Sequence, residues 1–129
     1  MPEKLVQAMA LYRVTVPTRL NGAELKFIRT ALGFPAKKFA ELLDVDPATF
    51  SRWENDSKPM SVSKERLARI YAAVDLAEEA PAIEADVKLI MEMELLGWPD
   101  RDHSIEMNFV LSRFKKQDHY SDFEVKQVA

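Results

Sequence analysis

Residues able to do nucleophilic, acid–base or metal chemistry form no convergent set in this chain. Asp100, Asp102 and His103 stand close together, but no second cluster accompanies them and His119 is isolated. A metal site needs three or four convergent ligands, so none is expected. His103 adjoins Ser104, yet a serine nucleophile requires an oriented base, an acid behind it and an oxyanion motif. The cysteine count is zero, which removes disulfides, thiolate zinc sites and thiol catalysis and fits a reducing compartment. Neither enzymatic activity nor a cofactor is expected. Glu78, Glu79, Glu84, Asp86, Glu92 and Glu94 read most simply as a solvated helix face. The functional alternative for them is contact with a basic protein partner such as a toxin.

A different chemistry is spaced more favourably. Between Pro47 and Asn55 the residues Pro47, Ala48, Thr49, Ser51, Arg52 and Asn55 occupy the outward positions of a helix whose rear carries Phe50 and Trp53. Arg52 is the only long donor on that face. Bidentate pairing of arginine with guanine is the commonest specific contact in the major groove of DNA, which is about 12 Å wide and admits one helix. The bland alternatives are a surface pair between Arg52 and Asp56 at i,i+4, and merely solvated hydroxyls at Thr49 and Ser51.

The elements that must position this face can be read from their punctuation. Leu5, Met9 and Tyr12 recur at helical spacing from Glu3 to Arg13, and Val16-Pro17 closes that segment. Asn21, with Glu24 three residues later, forms a capping box for a helix from Gly22 to Leu32, which Gly33 ends. Pro35 suits the first turn of a helix to Leu43 that buries Phe39, Leu42 and Leu43. Asp44-Val45-Asp46 makes a tight turn, and Asp46 caps the helix that Pro47 opens. Asn55 to Pro59 is a loop by composition. Ser63 is the expected cap of a long helix buried through Leu67, Ile70, Tyr71 and Val74, and an acidic helix follows from Ala82 to Leu96. Beyond Gly97-Trp98-Pro99 the alternation of Ile105, Met107, Phe109 and Leu111 favours a short strand, with a helix using Ile105, Phe109 and Ser112 as the alternative.

Two short helices joined by a tight turn, with small Ala40 at the crossing and Val45 and Phe50 between them, are a helix-turn-helix layout. Asn21-Gly22-Ala23-Glu24-Leu25 through Ile28-Arg29, Ala40-Glu41-Leu42-Leu43, Val45 and Ser51-Arg52-Trp53-Glu54-Asn55 resemble the lambda-repressor-like (Xre-type) helix-turn-helix. The version in MqsA/YgiT-type antitoxins and related regulators is the most similar. The resemblance spans about residues 5–74. Those antitoxins usually carry a zinc ribbon built from CxxC pairs, which this chain lacks, so no zinc function carries over. Asp44 stands where such turns commonly have glycine, and aspartate tolerates the left-handed conformation required there. The resemblance implies base contacts from Ala48, Ser51 and Arg52. It implies phosphate contacts from Thr49, Asn55 and Lys58, with Lys37 and Lys38 at the start of the first motif helix.

Length and charge agree with this layout. The 129 residues, 47% of them hydrophobic, suffice for one core plus an arm. The net charge of -3 is unevenly distributed. Residues 20–74 hold nine lysines and arginines against seven acids, whereas residues 75–106 hold ten acids against Lys88 and Arg101. Phosphate attraction follows the local potential, so the overall sign does not exclude double-stranded DNA as partner. The expected organisation is mainly α, a lambda-repressor-like five-helix domain with an acidic helix and a C-terminal arm. Residues 1–19 would form an N-terminal helix and linker, 20–76 the DNA-binding domain, and 77–129 a dimerisation or partner-binding region. Apolar runs fall well short of the roughly 20 residues that span a bilayer, and Met1 to Lys4 lack a secretion-signal layout. A cytoplasmic, homodimeric repressor is therefore expected, with an antitoxin-like interaction module as the rival.

Overall fold

Residues 2–98 are described by the computed structural model, and they are mainly helical, with six helices and no strand among the described residues. In chain order these are α1 (Glu3–Thr15), α2 (Gly22–Leu32), α3 (Ala36–Leu42), α4 (Pro47–Glu54), α5 (Val62–Leu76) and α6 (Val87–Glu92). The expected strand at residues 105–111 lies outside the described residues. None of the helices is long and apolar enough to cross a membrane.

Local sequence explains where the middle helices start and stop. At α2, Glu24 N–H donates to Asn21 Oδ1 at 2.8 Å and Asn21 N–H donates to Glu24 Oε1 at 3.0 Å, the reciprocal pair of a capping box. At α4, Asp46 Oδ1 accepts from Ala48 N–H and Pro47 fills the first position, where its missing N–H costs nothing. α2, α3 and α4 all end in the same way. Phe34 N–H reaches Arg29 O, Val45 N–H reaches Ala40 O and Ser57 N–H reaches Arg52 O, each a six-to-one bond closing a Schellman turn. The left-handed residue of each turn is Gly33 (φ 77°), Asp44 (φ 56°) and Asp56 (φ 61°). Two of the three therefore hold an aspartate in a conformation that glycine adopts more cheaply.

One hydrophobic core joins all six helices, from Leu5, Met9, Leu11 and Val14 of α1 to Ile90 of α6. Phe39 and Phe50 stack edge to face at 5.7 Å between α3 and α4, and Phe50 meets Trp53 at 6.0 Å. Such pairs contribute about 0.5–1.5 kcal/mol beyond their burial. Beside this core lies a buried ionic cluster. Arg13 Nε donates to Glu24 Oε2 at 2.6 Å, Arg19 Nε to Glu65 Oε1 at 2.7 Å, and Arg69 Nη2 to Glu65 Oε2 at 2.9 Å. The same guanidiniums satisfy carbonyls at the end of α1 and in the link to α2: Arg13 bonds those of Val16, Thr18 and Arg19, and Arg69 those of Val14, Val16 and Thr18. Burial pulls the pKa of Arg69 below the usual arginine range and the charge of Glu65 opposes it. Arginine stays protonated in either setting.

Several sequence expectations are corrected here. The cap of α5 is Ser61, whose Oγ accepts from Lys64 N–H, and not Ser63. Pro35 is the residue before α3 and not part of its first turn. Leu42 and Leu67, expected in the core, are 40% and 42% exposed, and Val74 also faces outward. α5 instead buries Ala68, Ala72, Ala73 and Leu76 with Glu65 and Arg69, because alanines let α1 approach and the interior position is taken by ion pairs. The acidic helix expected over Ala82 to Leu96 is only Val87–Glu92. Asp86 caps its start, and Arg66 gathers the carbonyls of Ile90, Met91 and Met93 at its end. The chain then runs extended beside residues 17–20, with Leu96 N–H donating to Pro17 O and Arg19 N–H to Gly97 O.

Candidate nucleic-acid interface

The turn between α3 and α4 is fixed from behind. Ala40 is fully buried at the crossing, Leu43 fills the space below it, and Lys64 Nζ donates to Leu43 O at 2.7 Å, closing the end of α3. α4 is held against α2 by contact and by charge. A Cβ on Gly22 would collide with the Glu54 carbonyl and come within 2.7 Å of Trp53 O, so only glycine permits this approach. Arg29 clamps Glu54 with both carboxylate oxygens, at 2.8 and 3.2 Å. Asp56 Oδ1 accepts from Gly22 N–H at 2.8 Å, placing a carboxylate at the positive end of α2.

Against that fixed rear, the front of α4 is free. Ala48, Ser51, Arg52 and Asn55 are exposed and share one face with Pro47. Thr49 is half-buried at its edge. Asn55 Oδ1 accepts from Ser57 N–H at 2.9 Å, which leaves its NH2 group outward. Asp56 is engaged with Gly22, and among the described residues the pair between Arg52 and Asp56 does not form.

The nine cations of residues 20–74 divide into two groups. Arg29, Lys64, Arg66 and Arg69 are consumed by the fold. Lys26, Lys37, Lys38, Arg52 and Lys58 are exposed and form no ion pair among the described residues. Lys38 lies over the Phe34 ring at 4.3 Å from its centroid, an arrangement that directs the ammonium without neutralising it. Lys37 and Lys38 begin α3, Lys58 follows α4, and the α4 face lies between them in sequence.

The sequence reading missed the cluster of Arg13, Arg19, Glu24, Glu65 and Arg69. The i,i+4 spacing of Glu65 and Arg69 was a signal, but such pairs ordinarily read as surface pairs. It also missed Trp98, whose Nε1–H donates to Leu20 O at 3.0 Å and whose ring covers the Arg19 guanidinium at 4.1 Å. Among the described residues no group of histidines and acids could hold a metal. Comparison with protein-family models, curated proteins and solved structures gives no match.

Proposed function

We propose that this protein is a sequence-specific DNA-binding transcriptional regulator, a homodimeric autorepressor that places α4 in the major groove. The observation that carries the reading is the contrast across α4. Its rear is fixed by Trp53, Glu54 and the turn at Asp56, while Ala48, Ser51, Arg52 and Asn55 are exposed and the Arg52 side chain has no ion pair among the described residues. A preorganised helix with one long unpaired donor costs little to order on binding. The unpaired lysines Lys37, Lys38 and Lys58, with Thr49 and Asn55, suit phosphates, which fix register without reading sequence.

Selection of bound sites from random duplex DNA tests the proposal directly. The expected outcome is an enriched motif of two inverted half-sites, as two α4 helices related by a two-fold axis would require. Arg52→Ala should lose about 1–3 kcal/mol of affinity for that motif and relax the preference at one base pair per half-site. An unchanged base preference would remove Arg52 from direct readout, and failure to enrich any motif would remove the proposal.

A second reading has its own observation. Glu84, Asp86 and Glu92 rim a groove of about 540 Å³ floored by Pro17, Leu89, Ile90 and Met93, with Leu89 exposed. That surface suits a basic, partly apolar protein partner, as an antitoxin-like module would have. Co-expression with the product of an adjacent small reading frame, followed by size measurement, tests it.

A further inference from the structure

The groove beside α6 has a composition that selects its occupant. Its floor is Pro17, Leu89, Ile90 and Met93, and its rim carries Glu84, Asp86 and Glu92, all three exposed. Among the described residues no lysine or arginine lines it. At about 540 Å³ it falls within the size range of clefts that take up a drug-sized group, and Leu89 within it is 63% exposed. An apolar floor calls for apolar side chains, and the acidic rim calls for cations beside them. The same rim repels the phosphates of DNA and the acidic α6 region of a second copy.

The chain itself contains a segment of the required composition. Residues 107–117 read Met-Asn-Phe-Val-Leu-Ser-Arg-Phe-Lys-Lys-Gln, with Arg113, Lys115 and Lys116 as charges and no acid, although residues 99–129 hold six acids in all. The connection to the groove is short. Leu96 N–H donates to Pro17 O in the groove wall, so the chain passes the groove two residues before Trp98, where the described residues end. Trp98 is fixed there by its bond to Leu20 O and its stacking on Arg19. The eight residues from 99 to 106 span up to roughly 28 Å when extended, ample for the chain to turn back.

We propose that residues 107–117 seat in this groove of their own chain, with apolar side chains on Leu89 and Met93 and with Arg113, Lys115 and Lys116 facing Glu84, Asp86 and Glu92. A tether this short holds the segment at an effective concentration on the order of millimolar, so individually weak contacts suffice. Charge pairs at an open rim are screened by salt, and the contact therefore loosens as ionic strength rises. A basic, partly apolar partner of the kind considered above would have to displace the segment, which gives the groove its own competitor. The contact needs neither DNA nor such a partner, so it stands or falls apart from both readings of the function.

The chain has no cysteine, so Lys88→Cys carries a nitroxide at a single exposed position next to Leu89. In the full-length protein at low salt, amide resonances of residues 107–117 should be lost while the nitroxide is paramagnetic and return when ascorbate reduces it. Reversing the segment's charges (Arg113→Glu, Lys115→Glu and Lys116→Glu together) leaves residues 2–98 untouched and should restore those resonances. Reversing the rim with Glu84→Lys and Glu92→Lys should do the same. In a mixture of nitrogen-15 protein without nitroxide and nitroxide protein without the isotope, the resonances should stay intact, because the contact lies within one chain. Three results would each overturn the proposal: segment resonances unaffected by the nitroxide, a loss that survives reversal of the segment's charges, or a loss equally strong between copies in the mixture.

Discussion

Arg52 and Glu65 are charged residues on neighbouring helices, and the fold treats them in opposite ways. Arg52 lies outside with no partner among the described residues, so its removal alters what the surface can bind and little else. Glu65 is wholly enclosed and accepts from Arg19, from Arg69 and from the Leu20 N–H. Its two guanidinium partners are themselves buried. Exchange for glutamine preserves shape but leaves one positive charge too many in a place water does not reach. Glu65→Gln should therefore destabilise the fold by about 3–5 kcal/mol, the range for breaking one side of a buried pair. A urea denaturation midpoint close to that of the unaltered protein would show that the cluster is less costly to disrupt than its burial implies. Arg52→Ala should leave the same midpoint within the small range usual for surface changes, about 0.5 kcal/mol.

Elements that the chain punctuates on both sides were legible from the sequence, and those that it does not were misjudged. α2 and α4 match their expected limits because each has a side-chain cap before it and a left-handed residue after it. The acidic stretch after Ala82 carries no comparable stop, and its helix is confined to six residues by Asp86 in front and by Arg66 behind. α5 was misread for another reason. Periodicity arguments put apolar residues inwards, but here Leu67 and Val74 face out while Glu65 and Arg69 face in. Only the three-dimensional meeting of Arg19, Glu65 and Arg69 makes that arrangement tolerable, and no local pattern announces it. The candidate site was the most legible part, because helical spacing alone puts Ala48, Ser51, Arg52 and Asn55 on one face. At this scale the two left-handed aspartates give a paired test. Asp44 has a strained backbone and its side chain is exposed, so Asp44→Gly should stabilise by up to about 1 kcal/mol, which raises Tm by several degrees. Asp56→Gly relieves the same strain but removes the acceptor for Gly22 N–H, and its gain should be absent or reversed. Thermal melts of both variants decide this, and equal stabilisation would contradict a role for the Asp56 carboxylate.

For the whole molecule, the N-terminal helix belongs to the same core as α2 to α5. α1 supplies Leu5, Met9, Leu11 and Val14 to it, along with Arg13 to Glu24 of the α2 capping box. Deleting residues 2–16 should consequently abolish the cooperative thermal transition seen by far-UV circular dichroism, and not merely lower it. A truncated protein that still melts cooperatively would show that α2 to α5 fold without it. The same cross-links govern the order in which the chain can become itself during synthesis. Arg13 meets Glu24 only 11 residues later, but Arg19 must wait 46 residues for Glu65, and Arg69 reaches back 51 to 55 residues to the end of α1 and the link that follows it. At about 5–20 residues per second, a ribosome leaves Arg19 without its carboxylate for roughly 2–9 s. Only for the last 11 residues of that interval is α4 complete, held by then against α2 through Glu54 and Arg29 but without the cluster that ties α5 to the link after α1. The full set of cross-links that fixes the helices relative to one another is complete only when Arg69 of α5 has been made and the cluster closes.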